Sequence, residues 1–143
     1  MAARRTAIVV LLLGILLPAR GLPEEGRIAV IVHPRRTTRV GLDDVAQIYL
    51  RRRRFWEDGA PIVPLNLAAG KPLRSTFSRT VLRLEVAGLA DYWNRQYFSG
   101  VRPPATLDST AAVMRYVSSD PNAIGYVLVS EVDDSVRVIL RLD

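Results

Sequence analysis

Residues 66–77, NLAAGKPLRSTF, combine the groups best suited to holding an anion. Gly70 lies in a turn of small residues, and Lys71 and Arg74 follow in the first turn of a predicted helix. Backbone N–H groups are free at a helix start, where the helix dipole is also positive. That dipole disfavours each exposed cation by about 0.3–1 kcal/mol, a cost that a bound anion would reverse. Alternatively, both cations are solvated and lie over neighbouring apolar side chains.

A second helix start, at Asp108, Ser109 and Thr110, could supply the other rim of the same groove. Its hydroxyls and N–H groups suit an anion, but these residue types are also ordinary helix caps, each contributing about 1 kcal/mol to helix stability. Both interpretations stay open. The predicted ligand-binding residues are Gly70, Lys71, Arg74, Ser109 and Thr110.

Four consecutive arginines, Arg51 to Arg54, form a third candidate. Positive charge suits the C-terminal end of the helix predicted before them, so they are interpreted first as a solvated corner. The alternative is a surface that docks a protein partner or a membrane. The next two residues, Phe55 and Trp56, are predicted to plug the core rather than to stand exposed.

Several kinds of chemistry have no motif in this sequence. His33 is the only histidine and there is no cysteine, so no cluster with metal-ligand spacing occurs. The sequence shows no nucleophile–base arrangement, no Walker A motif and no dinucleotide fingerprint. We therefore predict a protein that is not an enzyme and has neither a cofactor nor a metal.

The first 21 residues have the pattern of a signal peptide. Arg4 and Arg5 precede an apolar run at 7–17, and Ala19-Arg20-Gly21 is a small-x-small cleavage pattern. Eleven apolar residues are too few for a spanning helix, which needs about 20. We expect a periplasmic or secreted protein with no integral membrane segment after cleavage.

Removing residues 1–21 reduces the formal net charge from +6 to +3, because Arg4, Arg5 and Arg20 leave. That mild excess, together with export, argues against nucleic acid as a partner. Residues 22–143 are enough for one domain with a real core. Without cysteine that domain has no disulfides.

Strands and helices alternate along the predicted domain. We predict strands at 27–33, 61–67, 122–129 and 135–142, and helices at 42–50, 89–98, 108–120 and across Leu73, Phe77, Val81 and Leu84. A connection at 99–107 should end in a short extended segment. Leu89, Trp93 and Tyr97 share a predicted apolar face. The pattern indicates an α/β fold with a mixed central sheet flanked by helices.

Two details of the sheet are also predicted. Two prolines in 61–67 favour an edge position for that strand or irregular pairing at Pro64. Residues 27–33 are almost continuously apolar and should be buried on both faces. The first and last strands are expected to bring the two ends of the domain together.

The segments IAVIVHP, LDDVAQIYLRRRRFWEDGAPIVPLN, LRSTF and PNAIGYV occur in an order that resembles one lobe of the phosphate ABC transporter substrate-binding proteins. The resemblance spans about residues 27 to 128. It implies the type II periplasmic binding protein fold, and a phosphate turn around Gly70. In that family the turn reads Arg, two variable residues, Gly and Ser-Gly-Thr.

This chain departs from that turn at four positions, with Leu67 for the arginine, Lys71 for the serine, Pro72 for the glycine and Leu73 for the threonine. The chain is also about half the usual length, with one lobe of two. One lobe that kept half of a micromolar binding energy would bind at about millimolar concentration.

The resemblance implies an exported, solute-binding-like protein with weak phosphate or oxyanion binding. The alternative is an interaction or sensory subunit that has lost the phosphate site, with a protein partner or a second copy of itself.

Overall fold

The computed structural model describes residues 26–143, so the prediction of a signal peptide at 1–21 lies outside the described residues. Within that range strands and helices alternate as the sequence predicts. The strands are β1 (Ile28–Val32), β2 (Val63–Leu67), β3 (Ala105–Leu107), β4 (Ala123–Leu128) and β5 (Arg137–Leu142). The α-helices are α1 (Leu42–Tyr49), α2 (Pro72–Phe77), α3 (Val86–Phe98) and α4 (Thr110–Ser119), and a π-helical turn, Ser78–Leu82, continues α2.

The five strands form one mixed sheet in the order β3-β2-β4-β1-β5. β2 runs parallel to β3 and β4, and β1 runs antiparallel to β4 and β5. Ile28 pairs with Leu142, so the two ends of the domain are adjacent, as predicted. The predicted fold class, a mixed sheet flanked by helices, is confirmed.

β1 is buried along its whole length, which explains its continuous apolar sequence. The edge position suggested for β2 is wrong, because β2 lies between β3 and β4. The alternative, irregular pairing at Pro64, is confirmed. β2 pairs with β4 over Val63 and Pro64 and with β3 only from Leu65 onward. A proline is tolerated there because no β3 residue faces its missing N–H.

The helices cover both faces of the sheet. On one face Tyr126 of β4 meets α1 and α2: its ring stacks on Phe77, with 3.8 Å between the centroids, and makes an edge contact with Tyr49 at 5.9 Å. The preceding residue, Gly125, faces α4. A Cβ atom at that position would lie 2.4 Å from Cγ1 of Val113, so α4 packs directly onto the β4 backbone.

α3 is anchored mainly through one small cluster. Leu89 and Tyr92 are buried against Leu50, and the Tyr92 hydroxyl donates a 2.7 Å hydrogen bond to the Leu50 carbonyl. The predicted inward face is wrong at its C-terminal end, because the cluster with Leu50 extends only as far as the partly buried Trp93, and Tyr97 is 72% exposed. Leu84 is also exposed, because the left-handed Arg83 ends the preceding helix and turns the chain outward.

The prediction for Phe55 and Trp56 is half correct. Trp56 is buried, and its Nε1 donates to the Asn122 carbonyl at 3.0 Å. Phe55 is 59% exposed. It forms an isolated bridge with Pro61, and successive side chains of an extended segment point to opposite sides. Only one of two adjacent aromatic residues can therefore reach the core.

Candidate anion-binding site

The sheet brings the two predicted rims to the same edge. Leu67 of β2 lies opposite Leu107 of β3, and the Ala68 N–H donates to the Leu107 carbonyl at 3.1 Å. The strands are parallel and about 5 Å apart, so the connections that follow them leave side by side. One leads to α2 through Gly70 and the other to α4. Ligands of open α/β sheets bind outside such carboxyl ends.

The turn before α2 is exposed and has no cap of its own. The Lys71 N–H donates to the Ala68 carbonyl at 3.0 Å, which closes the turn with Gly70 at its tip. Lys71 is the N-cap residue but makes no side-chain cap, and Pro72 has no N–H to donate. In the described part of the chain, the Leu73 N–H has no acceptor. The helix start therefore keeps an unsatisfied donor.

The side chain of Arg74 reaches back to the end of β2. Its Nη1 donates to the Leu67 carbonyl at 2.7 Å, and the side chain is half-buried. The guanidinium thus lies beside the backbone at the end of β2. Neither Lys71 nor Arg74 forms an ion pair within residues 26–143. Two cations therefore share a helix start with no internal counter-charge among these residues.

Two polar residues at the end of β2 and on β4, Asn66 and Tyr126, were not predicted from the sequence as part of this region. The Asn66 Oδ1 accepts hydrogen bonds from the Tyr126 hydroxyl and from the Leu67 N–H, the latter at 3.0 Å. Asn66 is 6% exposed. A single polar residue in the apolar strand sequence VPLNL was the available signal, because a buried amide has to find partners. The pair fixes the end of β2 from which the turn starts.

Burial raises the pKa of Tyr126 to about 12, although the Leu67 N–H and the Arg74 charge act in the opposite direction. Burial and the neighbouring Tyr126 also raise the pKa of Tyr49 well above its ordinary value. In the unfolded chain both phenols ionise near pH 10. The folded state therefore holds its phenolic protons more tightly than the unfolded state does.

We predict that the free energy of unfolding falls as the pH rises from about 10 towards 12, because only the unfolded state releases these protons there. Chemical denaturation at a series of pH values measures this loss. Tyr126→Phe should lower stability near neutral pH by about 1 kcal/mol, through the lost bond to Asn66, and should make the alkaline loss shallower. An equally steep loss in this variant would contradict the assignment to Tyr126.

At the second rim the structure supports capping. The Ser109 Oγ accepts a 3.1 Å hydrogen bond from the Ala112 N–H, as an N-cap does. The Thr110 hydroxyl donates to Glu131 at 2.6 Å, and the other carboxylate oxygen of Glu131 accepts from the Leu128 N–H at 3.0 Å. The Thr110 hydroxyl is thus already hydrogen-bonded to a carboxylate. Ser109 is exposed, and its hydroxyl donates no hydrogen bond to another of the described residues.

The four arginines of the corner do not act as one group. Arg51 is half-buried and donates to the Ile62 carbonyl at 3.3 Å, and Arg53 forms a 3.1 Å ion pair with Asp44. Arg52 lies over the Tyr92 ring at 5.8 Å. Arg52 and Arg54 remain exposed. The corner leads into the start of β2, so it lies at the end of the sheet opposite the candidate site.

Within residues 26–143, no group of three or more His, Asp or Glu side chains is placed to hold a metal ion. The longest helix in that range, α3, has 13 residues, and no helix there has the length and apolarity needed to cross a bilayer.

Comparison with known proteins gives structural matches only. No protein-family profile and no curated protein match the chain. Among solved structures, a protein from Clostridium perfringens described as a phosphate ABC transporter substrate-binding protein, with bound phosphate, superimposes with a TM-score of 0.64 at 26% identity. The match covers 78% of this chain and 43% of that one.

Two further structures show the same fold at lower identity. An ABC-type phosphate transport receptor from Vibrio cholerae has a TM-score of 0.63 at 16% identity, covering 78% of this chain and 44% of the other. PstS from Borrelia burgdorferi has a TM-score of 0.59 at 14% identity, covering 81% and 51%. This chain therefore resembles the phosphate ABC transporter substrate-binding proteins, as predicted, and spans about half of their length or less.

Proposed function

We propose that this chain, which matches one lobe of the phosphate substrate-binding proteins, binds phosphate or a similar oxyanion weakly at the turn between β2 and α2. The observation that carries the proposal is the placement of Lys71 and Arg74. Both lie at an uncapped helix start, at the carboxyl end of a parallel strand, with no ion pair among the described residues. We further propose that the protein is exported and acts on a solute outside the cytoplasm.

The donor set fits an oxyanion of modest affinity. The Lys71 ammonium and the remaining guanidinium N–H groups of Arg74 are charged donors, and the free backbone N–H of Leu73 and the Ser109 hydroxyl are neutral ones. Charge-assisted bonds are about twice as strong as neutral ones. Thr110 is a poor ligand because Glu131 occupies its hydroxyl and adds negative charge beside it.

Weak affinity follows from the shape of the site as well as from its donors. The site is an open edge, so an anion there keeps part of its hydration and is screened by salt. We expect a Kd of about 1 mM at low ionic strength, which corresponds to roughly −4 kcal/mol. Such a lobe would exchange its anion rapidly rather than store it.

Charge reversal at Lys71 and Arg74 tests the site. Phosphate at roughly ten times its Kd should stabilise the unmodified protein by about 1.4 kcal/mol, seen as a rise in Tm. In Lys71→Glu with Arg74→Glu that rise should vanish. Because Arg74 is half-buried, Lys71→Glu alone is measured as well; Lys71 is exposed, so this change should leave the fold intact and weaken binding at least several-fold.

The matched control reverses two exposed arginines at the other end of the sheet, Arg95→Glu with Arg102→Glu, for the same change in net charge. The phosphate-dependent rise in Tm should persist in this control. A rise that survives in the Lys71 and Arg74 variants would overturn the assignment. Equal loss in the control and the site variants would show a general charge effect and no site.

A further inference from the structure

A second surface, at the opposite end of the sheet from the anion site, combines exposed aromatic and basic side chains. Phe98 is 90% exposed and Tyr97 is 72% exposed, at the C-terminal end of α3. Adjacent exposed apolar side chains with a polar rim mark sites that interact with proteins or membranes. The surface, which we call the aromatic–basic surface, consists of Arg52, Arg54, Arg95, Tyr97, Phe98 and Arg102.

The contacts show how these residues come together. Arg95 lies one helical turn before Phe98, and Arg102 follows in the loop that the Gly100 N–H closes onto the Tyr97 carbonyl at 3.0 Å. Arg52 lies over the ring of Tyr92, which places the arginine corner along the same helix.

The loop after Arg102 returns to that corner. Residues 103–105 and Arg51 line one hollow of about 210 Å³. The loop that carries Arg102 and the arginine corner are therefore close in space, although about fifty residues separate them in the sequence.

The charge on this surface is strongly one-sided. Its four arginines are exposed, and none of them forms an ion pair within residues 26–143. The only acidic residue of α3 is Asp91. Each arginine near an anionic membrane contributes about 1 kcal/mol of attraction, and aromatic side chains favour the boundary between headgroups and acyl chains.

We propose that the aromatic–basic surface binds the headgroup region of anionic lipid bilayers, with Tyr97 and Phe98 inserted at the interface. Anionic lipid headgroups would pair with the arginines of this surface, whereas an apolar groove on a partner protein would leave them without counter-charges. The positive charge therefore favours lipid as the binding partner. In this orientation the edge that carries Lys71 and Arg74 faces away from the membrane and stays open to solutes. The inference rests on α3 and its surroundings and does not depend on the proposed anion site.

Vesicle co-sedimentation tests the proposal, with the purified protein and vesicles of phosphatidylcholine alone or mixed with phosphatidylglycerol. We expect binding only to the mixed vesicles, weakening as salt is added. Tyr97→Ser with Phe98→Ser should reduce binding about tenfold. Arg95→Glu with Arg102→Glu should reduce it more, because reversing two charges removes two attractions of about 1 kcal/mol each and adds two repulsions.

The matched control is Arg115→Glu with Arg141→Glu, which reverses two exposed arginines on α4 and β5. This variant should bind mixed vesicles much more tightly than Arg95→Glu with Arg102→Glu does. Failure of the unmodified protein to bind, or equal weakening in the control, would overturn the proposal. A concentration-dependent dimer without lipid that Tyr97→Ser with Phe98→Ser abolishes would also overturn it, by assigning the surface to a second copy of the chain.

Discussion

Replacing Gly125 with valine will lower the free energy of unfolding by about 3 kcal/mol or more. Even the first atom of a side chain there would lie 2.4 Å from Cγ1 of Val113 and 3.3 Å from Cγ2 of Val117. Both valines are fully buried between α4 and the sheet, so they cannot move aside without displacing the helix. For a domain of this size the loss corresponds to a fall in Tm of roughly 10 °C, measurable by thermal denaturation followed by circular dichroism.

Two variants show whether contact with α4 is the cause. Gly88→Ala in α3 is the control, because a Cβ atom there meets nothing within 4 Å, and alanine should leave stability unchanged or raise it slightly. The second test uses Gly125→Ala, which adds only the Cβ atom. Val113→Ala should restore part of the stability that Gly125→Ala loses, since it removes the methyl group that clashes with this Cβ atom. If Gly125→Ala and Val113→Ala simply added in a double-mutant cycle, the proposed contact would be wrong.

Arg36→Met will cost about 3 kcal/mol of stability, because it removes three hydrogen bonds from a buried guanidinium. Arg36 is 8% exposed. Its Nε donates to the Pro121 carbonyl at 3.1 Å, its Nη1 to Asp58 at 3.0 Å, and its Nη2 to the Asn122 Oδ1 at 3.0 Å. The guanidinium also lies 4.6 Å from the Trp56 ring centroid. One side chain thus joins the loop after β1 to the loops before β2 and β4.

Chemical denaturation measures this cost, with Arg35→Met as the control. Arg35 is the exposed neighbour of Arg36, so its replacement should change stability by less than about 0.5 kcal/mol. Arg36→Lys should retain more stability than Arg36→Met but less than the unmodified protein, because an ammonium group cannot reproduce the planar set of N–H donors of a guanidinium. Equal effects at positions 35 and 36 would contradict the role assigned to Arg36.

The sequence predicted most of the fold because its apolar periods are clear. The continuous apolar run of β1 predicted burial on both faces, and the structure shows β1 buried along its whole length. Pro64 was harder to interpret. Proline excludes a regular central strand, but a strand that changes partners at the proline satisfies the same constraint, and only the three-dimensional pairing shows which solution occurs.

The errors occur where packing depends on distant parts of the chain. The period of α3 predicts an inward face as far as Tyr97, but the cluster with Leu50 ends at Trp93, and nothing in the local sequence indicates where that contact ends. Likewise Phe55 and Trp56 are equally apolar. Trp56 is buried because its indole meets Arg36 and Asn122, which are distant in the sequence.

The candidate site could be predicted from the sequence only in part. Turn residues and helix starts are local, so Gly70, Lys71 and Ser109 could be selected from the sequence, and the parallel pairing of β2 with β3 then brings their segments to one edge. Contacts between segments were not predictable. These include the hydrogen bond from Arg74 to the Leu67 carbonyl and the hydrogen bond from the Thr110 hydroxyl to Glu131.

The most direct test of weak oxyanion binding uses the fact that Lys71 is the only lysine in the sequence. Protein labelled selectively with ¹⁵N-lysine gives one lysine backbone amide signal, from the N-cap of α2, which can be followed by NMR as phosphate is added at constant ionic strength. We predict a saturable shift with a Kd of about 1 mM, a smaller shift with chloride, and loss of saturation in Arg74→Glu. A signal that responds equally to phosphate and chloride, or does not move, would contradict an anion site at this turn.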